Sequence, residues 1–281
     1  MDYITIDEFR RSTSSFRKDE ELALKIKINE TNNINDIFNE KSLISNIQFP
    51  LNDLILPKFN EGDVKSYIPN INDGMTTKQR KFLLKLKIVL INNDPDSEAS
   101  SCERFLDDLM NFLCDEAELD DGLELTLRPC NLYLNIGNES FAAIADKEGR
   151  RGLELTCFIQ EDKHFRSSTY RHGDIQLTCA MISGFQQNYN MFNEIYPEKL
   201  LGIKVVADTF YFCSMIGNKE YLNELLEGLP KKTNITMNKY PINGLKLSNP
   251  RERFEIIKYM AILKYELLSL DIKYFLNQHE R

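Results

Sequence analysis

Near the middle of the chain, Asp146 and the run Glu161-Asp162-Lys163 have the residue types and the spacing to grip a cation and act on an anionic ester. Each follows an apolar stretch, residues 141–145 ahead of the aspartate and residues 153–160 ahead of the glutamate. Successive side chains in a strand point to opposite faces, so Glu161 and Lys163 are expected on one face and Asp162 on the other. If the two stretches pair as a hairpin, with the charged residues between them as its turn, Asp146 meets Glu161 on one side of the sheet. Two carboxylates beside an ammonium at the polar end of an apolar hairpin make a cage for a hard divalent cation; Mg2+ is expected, with Mn2+ able to substitute. Metal-assisted hydrolysis is the chemistry such a cage serves.

The flanking elements must carry that cage. Residues 96–117 show Cys102, Phe105, Leu106, Leu109, Phe112 and Leu113 at helical spacing, with Asp96 or Ser97 as the cap. Glu98 projects into the N-terminal end of that stripe, where it either joins the polar site or meets the helix dipole. After the acidic run, Asp174 is expected to cap a helix reaching about Met191. Gln176, in its first turn, is within reach of the site and would orient a phosphate or a water. Residues 123–127 and 132–136 alternate as strands. The stretches 141–145 and 153–160 are more continuously apolar, as in strands covered on both faces, and are expected at the sheet's centre. Two further strands, 201–207 and 209–215, meet at a turn on Asp208, a short helix covers 218–226, and residues 230–241 read as a connection. Asn249-Pro250 then opens a long helix to about residue 276.

The expected fold is α/β (α+β), a mixed central sheet flanked by helices. Two parts are expected along the chain. Residues 1–94 form an accessory region, loop-like in its Asn-rich first half, irregular around Pro50, Pro57 and Pro69, and helical over 76–92. Residues 95–281 form the domain that holds the site.

Charge patterning bears on the substrate. The 281 residues carry a formal charge of -8, which argues against coating nucleic acid through an overall field. Between residues 147 and 171 the sign reverses: Lys147, Arg150, Arg151, Lys163, Arg166 and Arg171 outnumber Glu148, Glu154, Glu161 and Asp162. A phosphate backbone would use that local patch, although two ordinary surface turns account for it equally. Nucleic acid, DNA ahead of RNA, is the expected partner, and a homodimer is allowed. The six cysteines lie in apolar runs without CxxC or Cys/His spacing, so they are read as reduced core residues of an intracellular protein, nuclear or cytoplasmic. No membrane span or signal segment is evident. The histidines lack zinc spacing, and neither a GxSxG elbow nor a Gly-rich phosphate loop occurs.

An acid-bearing helix, a strand ending in Asp146, a strand ending in Glu161-Asp162-Lys163 and a helix beginning near Gln176 together resemble the PD-(D/E)XK nuclease superfamily, with Ala145 at that pattern's variable first proline. Residues 98–265 are similar, more narrowly, to a group of fungal proteins with this nuclease-like fold. The matching pieces are QEDK (160–163), QLTCAMISGFQQN (176–188), TFYF (209–212) and LSNPRERFEIIKYMAILK (247–264). The resemblance implies a restriction-endonuclease-like core and a DNA endonuclease in which Asp146 and Glu161 bind Mg2+, helped by the main-chain carbonyl of Asp162. It also implies that Lys163 activates the attacking water, that Glu98 completes the site and that Gln176 supports it. The other reading of the same resemblance is a catalytically inactive, nuclease-derived module that binds nucleic acid or protein, as an effector or a mobile-element product would.

Overall fold

The computed structural model describes residues 4–39, 51–70, 72–92, 99–122, 124–162 and 172–270, with the main chain alone at 99–103, 161, 162 and 172. Local chemistry explains where most elements begin. After α1 (Lys18–Ala23) and β1 (Ile26–Glu30), helix α2 (Glu61–Ser66) opens on a reciprocal cap in which Asn60 and Asp63 each accept from the other's main-chain N–H. Helices α3 (Thr77–Asn92) and α4 (Ala99–Glu116) are amphipathic and turn Phe82, Leu83, Leu86, Leu106, Leu109 and Leu113 inward. Then come β2 (Thr126–Arg128), a hairpin of β3 (Leu132–Ile136) with β4 (Glu139–Ala143), β5 (Lys147–Arg151), β6 (Glu154–Asp162) and the central helix α5 (His172–Phe192). The last described elements are β7 (Lys199–Val206), β8 (Thr209–Ile216), α6 (Lys219–Glu227), β9 (Ile235–Lys246) and α7 (Pro250–Leu268). Asn218 caps α6 and Asn249 caps α7, the latter with Pro250 in its first turn.

Seven strands form one mixed sheet in the order β1-β9-β8-β7-β6-β5-β2, and β3-β4 stands apart as a two-stranded sheet. The pairs β6/β7 and β9/β1 are parallel, the others antiparallel, so β6, β7, β9 and β1 all run in one direction. Helix α5 is the crossover between β6 and β7. On its side of the sheet Phe158, Leu200, Cys213, Met215 and Met237 pack with Leu177, Met181, Phe185 and the β3-β4 hairpin. Glycines set the approach: a Cβ at Gly202 would come within 2.7 Å of Met181, and one at Gly184 within 2.8 Å of Phe158. The opposite face, with Cys157, Ile159, Leu201, Ile203, Val205, Phe210 and Phe212, is covered by α3, α4 and α7. Side-chain amides on α5 complete the main-chain bonding where the ladder stops: Asn188 exchanges two hydrogen bonds with Leu155 at 3.0 and 2.8 Å, and Gln186 does the same with Asn135 at 3.0 and 2.8 Å.

Several expectations change. Residues 141–145 do not pair with 153–160; their strand is β4, and its partner is β3 in the separate sheet. The charged residues expected as a turn are instead β5, antiparallel to β6 with Lys147 opposite Ile159. A strand of this composition is tolerated because its charges are matched: Lys147 pairs with Asp107 at 2.9 Å and Arg150 with Glu148 at 2.7 Å. Residues 230–241 are not merely a connection, since β9 begins at Ile235. Pro241 fits there because the ladder skips from Tyr240 to Leu245, and a bulge needs no donor from it. The strand expected over 123–127 is β2, at 126–128. Asp174 lies inside the first turn of α5 rather than capping it, and α7 stops at Leu268 rather than near residue 276. Described parts of the first 94 residues contribute to the same sheet and cores: β1 is an edge of the large sheet, and Phe9, Phe16, Leu24, Phe38 and Leu54 belong to its two cores.

Candidate functional site

Asp146 sits in the bend between β4 and β5, with its carboxylate exposed. Because Lys147 faces Ile159 across the β5-β6 pair, Asp146 lies across from Gln160 and not, as expected, from Glu161, the next residue along the strand, and Gln160 Nε2 donates to its Oδ2 at 3.0 Å. The main chain of Glu161 and Asp162 continues one step farther along β6, paired to Val205 and Val206 of β7. From above, Gln176 Nε2 donates at 2.5 Å to the carbonyl of Ile144, in the same β4-β5 connection as Asp146. Three elements, the β4-β5 bend, the end of β6 and the first turn of α5, therefore converge on one corner of the sheet. The side chains of Glu161 and Asp162, and Lys163, Glu98, Arg166 and Arg171 entirely, lie outside the described residues. Among the described residues no group of three His, Cys, Asp or Glu side chains gathers as metal ligands.

Two of the four arginines expected to meet a phosphate backbone, Arg150 and Arg151, bond inward. Arg150 donates to Glu148 at 2.7 Å and to the carbonyl of Leu153 at 3.1 Å. Arg151 donates to the carbonyls of Leu267, at 3.3 Å, and Leu270, capping the C-terminal end of α7.

Beside this corner is a buried ionic row that sequence reasoning missed. Asp174, 8% exposed, accepts from Lys204 Nζ at 2.8 Å through Oδ1 and from Lys239 Nζ at 2.9 Å through Oδ2. Lys239 also meets Glu30 at 2.8 Å and stands 5.2 Å from the centre of the Tyr211 ring. Burial alone would lower the Lys239 pKa, but Asp174 and Glu30 outweigh it and hold the ammonium above the usual lysine range. Lys204 is the register partner of Gln160, so amide and ammonium stand side by side on adjacent strands, with the Asp174 carboxylate of α5 above the ammonium. The signal was present: Lys204 interrupts the apolar run LLGIKVVA, and a charge in such a run needs a buried partner.

Compared with known proteins, the chain matches no protein-family model, and curated proteins yield no significant match. The functional reading therefore stands on the site itself. No helix among the described residues is long and apolar enough to cross a membrane. Among the described residues burial disfavours the thiolate: it pushes Cys157 and Cys213 up to about 12 and, aided by Glu148, Cys130 to about 11.

Proposed function

We propose that the chain is a metal-dependent phosphodiesterase, a DNA endonuclease, with a restriction-endonuclease-like core made of α4, β5, β6, α5 and β7. One observation carries the reading: the carboxylate of Asp146, the main chain at the end of β6 and Gln176 near the start of α5 meet at one corner, although they are distant in sequence. The donor set suits a hard cation, because carboxylate and carbonyl oxygens are what Mg2+ prefers. Asp146 and Glu161, with the main-chain carbonyl of Asp162, would hold it. When bound, the ion supplies Lewis-acid activation of the phosphoryl group. Lys163 would position or deprotonate the attacking water, and the Gln160 amide keeps the Asp146 carboxylate aimed at the corner.

A second reading, a nuclease-derived module that binds without cutting, is favoured by the inward bonds of Arg150 and Arg151, which leave fewer cations for a phosphate backbone. Cleavage assays on plasmid, single-stranded DNA and RNA with Mg2+ or Mn2+ separate the two. Wild type is expected to nick plasmid, and Asp146→Ala and Lys163→Ala are each expected to lose activity by about a hundredfold or more. Nucleic-acid binding that persists in all three proteins with no cutting by any would favour the binding module.

A further inference from the structure

Helix α5 is fastened to the sheet along its length by apolar contacts, Leu177 and Met181 against Gly202 and Gly184 against Phe158. Its first turn is held differently. Asp174 is gripped from both sides by Lys204 of β7 and Lys239 of β9, and the second lysine is tied on to Glu30 of β1. Burying three charged groups carries a desolvation cost, and apolar side chains of similar volume would attach the helix as firmly. What charged bonds of 2.8 and 2.9 Å add is a fixed position. Two aspects show what the position serves. The clamp lies where the co-directional strands β6, β7 and β1 finish, beside Lys239 within β9, and where the crossover helix begins, the place where α/β sheets build sites. Two residues beyond Asp174, Gln176 reaches the Ile144 carbonyl beside Asp146, while Lys204 is in register with Gln160, whose amide holds Asp146. The four clamp charges sum to zero, so the row is not itself a seat for phosphate.

We propose that Asp174 is a positioning residue: its clamp sets the start of α5 and, through it, where Gln176 and the end of β6 stand relative to Asp146. This rests on the nuclease reading above. Two variants test it in the full chain. Asp174→Glu keeps both ion pairs but adds a methylene, which displaces the first turn. The triple variant D174L/K204M/K239M replaces the clamp by apolar groups of similar size. Both are expected to melt within a few degrees of wild type, yet to cut plasmid with Mn2+ at a kcat lowered about a hundredfold and with little change in KM, as displaced catalytic geometry demands. A clamp that only stabilises would leave the kcat of a folded variant intact, and wild-type kcat in both variants overturns the proposal. Should the triple variant fail to fold, Asp174→Glu decides alone. Amide hydrogen exchange over residues 172–178 separates the two possible failures. Faster exchange in the variants, with a wild type that does not cut, sinks the nuclease reading while the clamp stands; unchanged exchange sinks the clamp.

Discussion

The two faces of the large sheet bury their most enclosed charges in different ways. On the face under α3, α4 and α7 the strands are apolar through their middle, Lys199 at the start of β7 pairs with the buried Glu266 of α7, and the most deeply buried cation among the described residues is Arg253, in the first turn of α7. Its guanidinium donates to the main-chain carbonyls of Leu247, Ile55, Leu56, Phe59 and Ser248 at 2.7 to 3.3 Å, and it stands 5.6 Å from the Phe82 ring centre. Burial pushes its pKa down to about 10, which leaves it charged at neutral pH. On the α5 face the apolar packing gives way to Gln160 and Lys204 near the ends of β6 and β7, Lys239 within β9 and Asp174 on the helix above them, charge set against charge. The first arrangement ties a loop to a helix through neutral acceptors. The second holds one helical turn at fixed distances beside Asp146. A buried charge is thus no marker of a site by itself; its partners and what they abut decide the matter.

The sharpest way to break this comparison is at Arg253. Replacing it by Met leaves five carbonyl oxygens without their donor and uncouples residues 55–59 from α7. A loss of about 3–5 kcal/mol in urea unfolding is expected, more than the apolar replacement of the α5 clamp should cause. A loss below about 1 kcal/mol would mean that the loop holds without its arginine, and the contrast between the two faces would fail.

What the sequence disclosed follows the same division. Helices α3, α5, α6 and α7 and strands β7 and β8 were legible because each combines a cap or turn residue with a clear hydrophobic period, as at Asn249-Pro250 and in TFYF. Strands β1, β5 and β9 were not, because their signals depend on distant partners. In β5, KEGRR reads as a turn until Asp107 and the end of α7 are seen beside it. In β9, Pro241 argues against a strand until the bulge removes the need for its donor. The corner itself was half legible. Asp146 and Gln176 could be placed near the end of β6, although through β5 rather than through the stretch expected to pair. Asp174 was taken for a cap, since nothing local reveals that Lys204 and Lys239, thirty and sixty-five residues downstream, converge on it.

A milder perturbation sharpens the comparison through pH. Because Asp174 and Glu30 raise the folded-state pKa of Lys239 above the unfolded value of about 10.4, its contribution to stability is complete below that value and is lost as pH climbs through the folded one. Unfolding free energies measured from pH 9 to 12 should fall more steeply in wild type than in Lys239→Met. Parallel curves would show that this ammonium is not held by the two carboxylates, and the α5 face would lose its ionic character.

The smallest effect concerns the middle of the sheet, where the two faces should be alike. Cys157 lies under α4 and Cys213 under α5, and burial raises each thiol to about 12; for Cys213 the Asp174 carboxylate adds to the rise, and Lys239 and Lys204 oppose it. Since the thiolate is the reactive form, both should react with iodoacetamide at pH 8 on the order of a hundredfold more slowly in the native protein than in urea, as read by peptide mapping. The relative rates then probe the boundary between the dry centre and the ionic ends. Equal protection would mean that the charged row leaves the neighbouring thiol as dry as the opposite face. Faster labelling of Cys213 would mean that water reaches inward from Lys239, its register partner, and that the α5 face opens around its clamp.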